Sequence, residues 1–259
     1  IFVVVAFRML PKVVWEIPKL GTFNLHAALL PQYRGAAPIN WAVINGEKTT
    51  GVTTFMIDDG MDTGGIMYRY DCKIGPDETV GEVHDKLMAL GSTLVVNTVE
   101  AIIENNVELR VQKSFIQGSE ILKTAPKLTR ELCHIDWRSS TKDIYNLIRG
   151  LSPYPAAFTE LVKDDKATQM KIFRTVKVEG EEYAAMLAQC GFSTAVEPGT
   201  ILSDGKTYLA IATEDGAISV TELQLAGKKR MAVKDFLIGF REPQSYKTST
   251  GTSSQITGR

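Results

Sequence analysis

The sequence predicts a parallel α/β domain followed by a small open β-barrel of the oligonucleotide/oligosaccharide-binding (OB) kind. Three observations carry this. The first hundred or so residues alternate short apolar runs with helical patterns, as a parallel sheet covered on both faces does. The last hundred hold short strands separated by Asp-Gly turns and closed by a helix. Between them, Gln117–Ile135 is mostly polar, with Pro126 and few periodic apolar positions, and reads as a linker.

Element by element, Ile1–Ala6 is a continuous apolar run and reads as a buried parallel strand. A helical turn follows over Lys12–Ile17, then a strand over Thr22–His26. Pro38 suits a helix start, and Ile39–Ile44 runs until Asn45-Gly46 stops it. Gly51–Met56 is β-branched and strand-like, and Gly65–Asp71 reads as another strand. Thr79 with Glu82 forms a capping-box signature. The helix it opens repeats Val80, Val83, Leu87, Leu90, Leu94, Val95, Val99, Ile102 and Ile103 at three and four residues, giving one buried face. Thr141–Leu151 reads as a helix. Strands are expected at Phe158–Val162, Met170–Val178, Gly199–Ser203, Thr207–Ala212 and Ile218–Leu225. Asp204-Gly205 and Asp215-Gly216 supply hairpin turns between the last three. A helix over Val233–Phe240 ends the barrel, and the Ser/Thr/Gly-rich residues 243–259 read as disordered.

Composition narrows the function. The 259 residues carry a net charge of -1 and 44% hydrophobic content, enough for one or two full cores and not a chain that is basic throughout. Cys72, Cys133 and Cys190 are odd in number, widely spaced and without a CxxC pair, so neither a disulfide framework nor a zinc knuckle is supported. No uninterrupted apolar run approaches the ~20 residues of a membrane helix. No cluster has metal-ligand spacing, and no phosphate loop or nucleophile elbow is present. The opening strand lacks an initiator Met, so the chain reads as a fragment.

Chemistry concentrates in two loops. Asn24 and His26 are two residues apart and leave one face of a strand at its end, where open α/β sheets place ligand groups. Asp62 lies in the Gly60–Gly64 turn; Asp58 and Asp59 compete with it as acids. An amide, an imidazole and a carboxylate converging on one carbonyl suit acyl transfer to an amine. Amide and charged imidazole hold the oxyanion while the carboxylate orients the imidazole. Pro31–Pro38 is a loop of small residues that a substrate can approach closely, and Arg34 within it suits a phosphate or carboxylate. His84 reads as a helix-face residue and His134 as solvated. Basic residues cluster at Lys123, Lys127 and Arg130, at Lys163, Lys166, Lys171, Arg174 and Lys177, and at Lys228-Lys229-Arg230, outlining a positive face suited to RNA.

The segments Asn24–Asn45, Gly51–Gly64, Ala125–Trp137, Arg149–Phe158 and Gly227–Phe236 together resemble the methionyl-tRNA formyltransferase family. The Asn-x-His and Asp signature is common to folate-dependent formyltransferases; the linker, SPYP and GKKR segments point to the tRNA enzyme. The resemblance implies a Rossmann-like formyltransferase domain over 1–116, incomplete at its N-terminus, a linker over 117–136, an OB-like tRNA-binding domain over 137–242 and a tail over 243–259. It implies formyl transfer from 10-formyltetrahydrofolate to the amine of initiator methionyl-tRNA, without metal, membrane or obligate protein partner, in a bacterial or organellar cytoplasm. Asn24, His26 and Asp62 fall on its catalytic positions. Ala28, Leu29, Leu30 and Pro31 match its folate-contacting Ser-Leu-Leu-Pro, with Ala28 lacking the hydroxyl. Phe7, Arg8, Met9 and Leu10 match its pterin-pocket wall, usually Gly-Gln before Ile-Leu-Pro, from which Phe7, Arg8 and Met9 depart. Arg34, Lys123, Lys127, Lys228, Lys229 and Arg230 are its expected tRNA contacts. Since the family begins several dozen residues earlier, the expectation is an active full-length parent and an impaired fragment. A small-amine formyltransferase and a noncatalytic RNA-binding module are the rival readings.

Overall fold

The computed structural model describes residues 1–6 and 10–251. It divides into two compact units, one of Ile1–Val43 with Glu47–Lys127 and one of Ile44–Gly46 with the chain from Leu128 onward.

The first unit contains β1 (Phe2–Val4), α1 (Lys12–Trp15), β2 (Thr22–His26), β3 (Arg34–Gly35), α2 (Pro38–Ile44), β4 (Thr49–Met56), β5 (Ile66–Lys73), α3 (Val80–Ile103), a 3-10 turn Gln112–Phe115 and β6 (Thr124–Ala125). Its sheet runs β1-β2-β4-β5. The parallel expectation holds between β1 and β2, with Val4 opposite Asn24, but the expected burial does not: at the end of the sheet order, Phe2, Val3 and Val5 are exposed. The parallel expectation fails for β4, which is antiparallel to both β2 and β5. The connection between β4 and β5 is too short for a parallel crossover, which takes about a dozen residues or more.

The capping box at α3 forms as expected: the Glu82 amide donates to Thr79 Oγ1 at 3.4 Å, and the Thr79 amide to Glu82 Oε2 at 2.8 Å. The buried stripe is narrower than the apolar pattern: Val80, Val83, Leu87, Gly91, Leu94 and Thr98. Leu90, Val95 and Val99 lie half-buried beside it, and Ile103 is exposed. By length and composition α3 could also cross a membrane, although the sequence holds no unbroken apolar run of that length. Its stripe lies against β4 and β5, where the hydroxyls of Thr54 and Thr98 pair at 3.1 Å. Gly91 permits the close approach, since a Cβ there would meet Leu25 Cδ2 at 2.8 Å. One sheet face is thus filled by α3, and Asn24 and His26 leave the other.

The polar segment read as a linker is not free chain. β6 pairs in parallel with β3, and the Trp41 indole donates to Pro126 O at 2.7 Å. These bonds engage backbone carbonyls, which leave no mark on side-chain periodicity.

The second unit contains α4 (Arg130–Cys133), α5 (Thr141–Leu151), β7 (Ala157–Lys163), β8 (Lys166–Val178), α6 (Gly180–Gln189), β9 (Ile201–Ser203), β10 (Leu209–Ala212), β11 (Ala217–Leu225), β12 (Met231–Ala232), α7 (Val233–Leu237) and β13 (Lys247–Thr248). The antiparallel order is β13-β7-β8-β11-β10-β9, with β12 on β11. The Thr248 hydroxyl donates to Gly199 O at 2.7 Å, so the last strand reaches the approach to β9 and the sheet nearly closes. Both Asp-Gly hairpins form. α6 escaped the sequence reading; its Tyr183, Met186 and Leu187 cover a core with Leu202 and Ala210. Residues 243–251, expected to be disordered, are ordered by β13, and the Ser249 amide donates to Glu160 O at 2.9 Å. The rest of that tail lies outside the described residues. His134, expected to be solvated, stacks on Phe158 with ring centres 4.9 Å apart and pairs with Ser249 Oγ at 2.9 Å.

Candidate active site

Asn24 and His26 project from one face of β2 and are 4% and 6% exposed. The His26 Nε2–H donates to the Tyr33 carbonyl at 2.9 Å. A carbonyl only accepts, so Nε2 carries the hydrogen and Nδ1 is the open nitrogen of the neutral ring. Nδ1 faces Asp62 Oδ2 at 4.0 Å. Burial holds the His26 pKa below its ordinary 6.5, against Asp62 and the Tyr33 carbonyl, which raise it; Arg34 lowers it further. The resting imidazole is therefore neutral, where the sequence reading had it charged during transfer; the charge has to arrive as a proton.

Asp62 sits in left-handed backbone at φ 54, which Asp tolerates better than most residues. Its Oδ2 accepts from the Gly35 amide at 3.0 Å. The competing acids are engaged elsewhere. Asp58 Oδ1 closes its own turn, accepting from the Gly60 amide at 3.0 Å and the Thr63 hydroxyl at 2.6 Å. Asp59 is exposed and 3.5 Å from Lys12 Nζ. Gly64 is required for closure of this loop, because a Cβ would lie 1.7 Å from Met56 O.

Asn24 Oδ1 is buried without a hydrogen-bond partner. A native core rarely leaves such an acceptor open.

The segment after His26 is clamped to β4. The Thr53 hydroxyl donates to Ala28 O at 2.6 Å and accepts from the Leu30 amide at 3.2 Å. Ala28, Leu30 and Pro31 are buried, and Leu29 is half-buried against Gly51. Leu10 is half-buried; Phe7, Arg8 and Met9 lie outside the described residues.

Two residues the sequence reading missed complete the site. Tyr33 supplies its carbonyl to His26, while its amide donates to Lys123 O at 2.7 Å and its hydroxyl to Glu47 at 2.6 Å. Gln112, 3% exposed, accepts from Arg34 and donates to the carbonyls of Asp62 and Gly64. Arg34, read as an RNA contact, is thus bound within the site and its charge acts on His26.

The other basic candidates differ in availability. Lys123 pairs with Glu47 at 2.7 Å, and Lys127 is exposed. Lys228 and Lys229 are exposed, whereas Arg230 makes a two-pronged pair with Glu222, both bonds at 2.6 Å, and lies over Phe173. Among the described residues no group of three or more His, Cys, Asp or Glu is placed to hold a metal.

Residues 1–99 match the family model for formyl transferase, and residues 127–241 the model for the formyl transferase C-terminal domain. Among solved structures the fold is similar to HypX from Aquifex aeolicus in complex with tetrahydrofolic acid (TM-score 0.61, 20% identity, 91% of this chain and 38% of that one). It is also similar to WlaRD, a sugar 3N-formyl transferase (TM-score 0.60, 20% identity, 88% and 73%). The domain matches define the chain as a formyltransferase. Its sequence is 51% identical over 246 residues to the methionyl-tRNA formyltransferase of Phocaeicola vulgatus, spanning 95% of this chain and 72% of the relative. It is 52% identical over 238 residues to that of Azobacteroides pseudotrichonymphae, spanning 92% and 70%. The chain belongs to the methionyl-tRNA formyltransferase family.

Proposed function

We propose that this chain transfers a formyl group from 10-formyltetrahydrofolate to the amine of initiator methionyl-tRNA in the cytoplasm. The observation that carries this reading is a buried neutral imidazole whose open Nδ1 faces Asp62, beside the unpartnered carboxamide oxygen of Asn24. The relatives' shared name supports the tRNA substrate, and the tetrahydrofolic acid of the HypX complex supports folate use.

The methionyl amine attacks the formyl carbon, and the carbonyl oxygen becomes an oxyanion. The Asn24 amide N–H stabilises it. The proton released from that nitrogen passes to His26 Nδ1. Asp62 holds the resulting imidazolium, which stabilises the oxyanion and returns the proton to N10 of the folate as the bond from carbon to N10 breaks. The products are formylmethionyl-tRNA and tetrahydrofolate. A donor of this kind is typically worth ~10²–10³-fold in rate. Ala28 to Pro31, with Leu10, form the folate wall. Lys127, Lys228 and Lys229 meet RNA phosphates, and the scheme needs neither a metal nor a protein partner.

The test is formylation of charged initiator tRNA and of a small amine, in this chain and in an N-terminally extended form, across salt concentrations. Salt-sensitive transfer to the tRNA supports the proposal. Transfer to the small amine alone makes this a small-substrate enzyme, and RNA binding without transfer makes it a noncatalytic module.

A further inference from the structure

Gln112 occupies a position that nothing in the reaction scheme uses. It opens a 3-10 turn, lies 50 residues beyond Asp62 and 78 beyond Arg34, and is buried. Its Oε1 accepts from Arg34 Nε at 3.1 Å and from Arg34 Nη2. Its Nε2 donates to Asp62 O at 2.8 Å and to Gly64 O at 3.0 Å. The orientation of the amide is dictated, because reversing it would set NH2 against a guanidinium and a carbonyl oxygen against two others.

We infer that Gln112 is the positioning residue of this site, fixing the Asp62 turn and the Arg34 loop with one amide so that the Asp62 carboxylate is held against His26. A second tie between the same two loops, from the Gly35 amide to Asp62 Oδ2, is one bond at 3.0 Å. It holds the Asp62 carboxylate and not the Asp62 backbone, which sits in left-handed conformation. Gln112 grips that backbone on both sides of Thr63, at Asp62 and at Gly64. The inference rests on reading His26 and Asp62 as the reacting pair.

The charged groups facing His26 are Asp62 and Arg34, with the Tyr33 carbonyl as its neutral partner. Gln112 touches both charged ones, so its effect is measurable on the imidazole itself. The chain holds three histidines, and His84→Gln with His134→Gln leaves His26 as the one imidazole in the NMR spectrum. In that background, Asp62→Asn removes an anion and lowers the His26 titration midpoint. If Gln112 sets the placement of Asp62, the drop shrinks by at least half when Gln112→Leu is also present. An undiminished drop overturns the inference. Gln112→Asn, which keeps the amide and shortens its reach, replaces Gln112→Leu in the same cycle if the latter does not fold. The readout needs no activity, so its failure removes Gln112 alone, whereas full transfer by His26→Ala would remove the reading of the reacting pair.

Discussion

Two aspartates in Gly-containing turns, Asp62 and Asp204, are near-equivalents in sequence and opposites in structure. Asp204 is spent on its own hairpin. It accepts from the amides of Lys206, Thr207 and Tyr208 and from the Thr207 hydroxyl. Desolvation acts to raise its pKa, but these donors, the Thr207 hydroxyl foremost, pull it far below the carboxylate range. Asp62 is bound by the Gly35 amide, and its carboxylate faces an imidazole. A carboxylate saturated by its own turn builds the turn, whereas one held by its backbone and left open is available for chemistry.

The largest effect expected from this contrast is on turnover. His26→Ala lowers formyl transfer by ~10²-fold or more. Asp62→Asn lowers it by ~10²-fold with folate affinity nearly unchanged, measured as kcat against donor KM. Equal losses in both parameters would assign Asp62 to binding. Asp204→Asn, by contrast, leaves kcat alone and lowers the thermal midpoint by a few degrees, since about 1 kcal/mol shifts a chain of this size by ~2–4 °C.

Next in size is a backbone clamp. Thr53→Val leaves the buried Leu30 amide without its partner and costs ~1–3 kcal/mol in denaturant unfolding. An unchanged midpoint would mean that the 28–31 segment is held by packing alone.

The pH dependence follows from the lowered His26 pKa. Between that folded value and the ordinary 6.5, the unfolded chain binds the extra proton and the folded chain does not. The contribution of neutral His26 to stability is complete above 6.5 and is lost as pH falls toward the folded value. Transfer needs Nδ1 open, so the limb that His26 contributes lies below 6.5, apart from that of the attacking methionyl amine, whose ordinary pKa as an α-amino group is ~7.7–8.0. A limb at or above 6.5 that disappears in His26→Ala would place the working His26 pKa elsewhere.

The smallest effects separate available cations from spent ones. Lys228→Ala with Lys229→Ala reduces the salt dependence of tRNA binding by roughly one to two phosphate contacts. Arg230→Ala changes that slope less, because Glu222 already holds the guanidinium.

Much of the site was legible in the sequence for identifiable reasons. Asn24 and His26 share a face because strand side chains alternate, and the Thr79–Glu82 box and the Asp-Gly hairpins are local patterns that formed as read. What escaped is non-local or carried by backbone. Gln112 sits in an irregular segment with partners 48 to 78 residues away, and the Tyr33 carbonyl has no side-chain signature. The antiparallel turn of β4 and the ordering of residues 243–251 likewise depend on strand pairing that periodicity does not encode.

The most direct measurement is the pH–rate profile for single-turnover formylation of initiator methionyl-tRNA, comparing the N-terminally extended protein with its His26→Ala variant. A proton-accepting His26 gives the parent a limb below pH 6.5, beneath that of the substrate amine, and the variant is slower by about 10²-fold and has lost that lower limb. The same limb at the same pH in His26→Ala, or an undiminished rate, would contradict His26 as the proton acceptor.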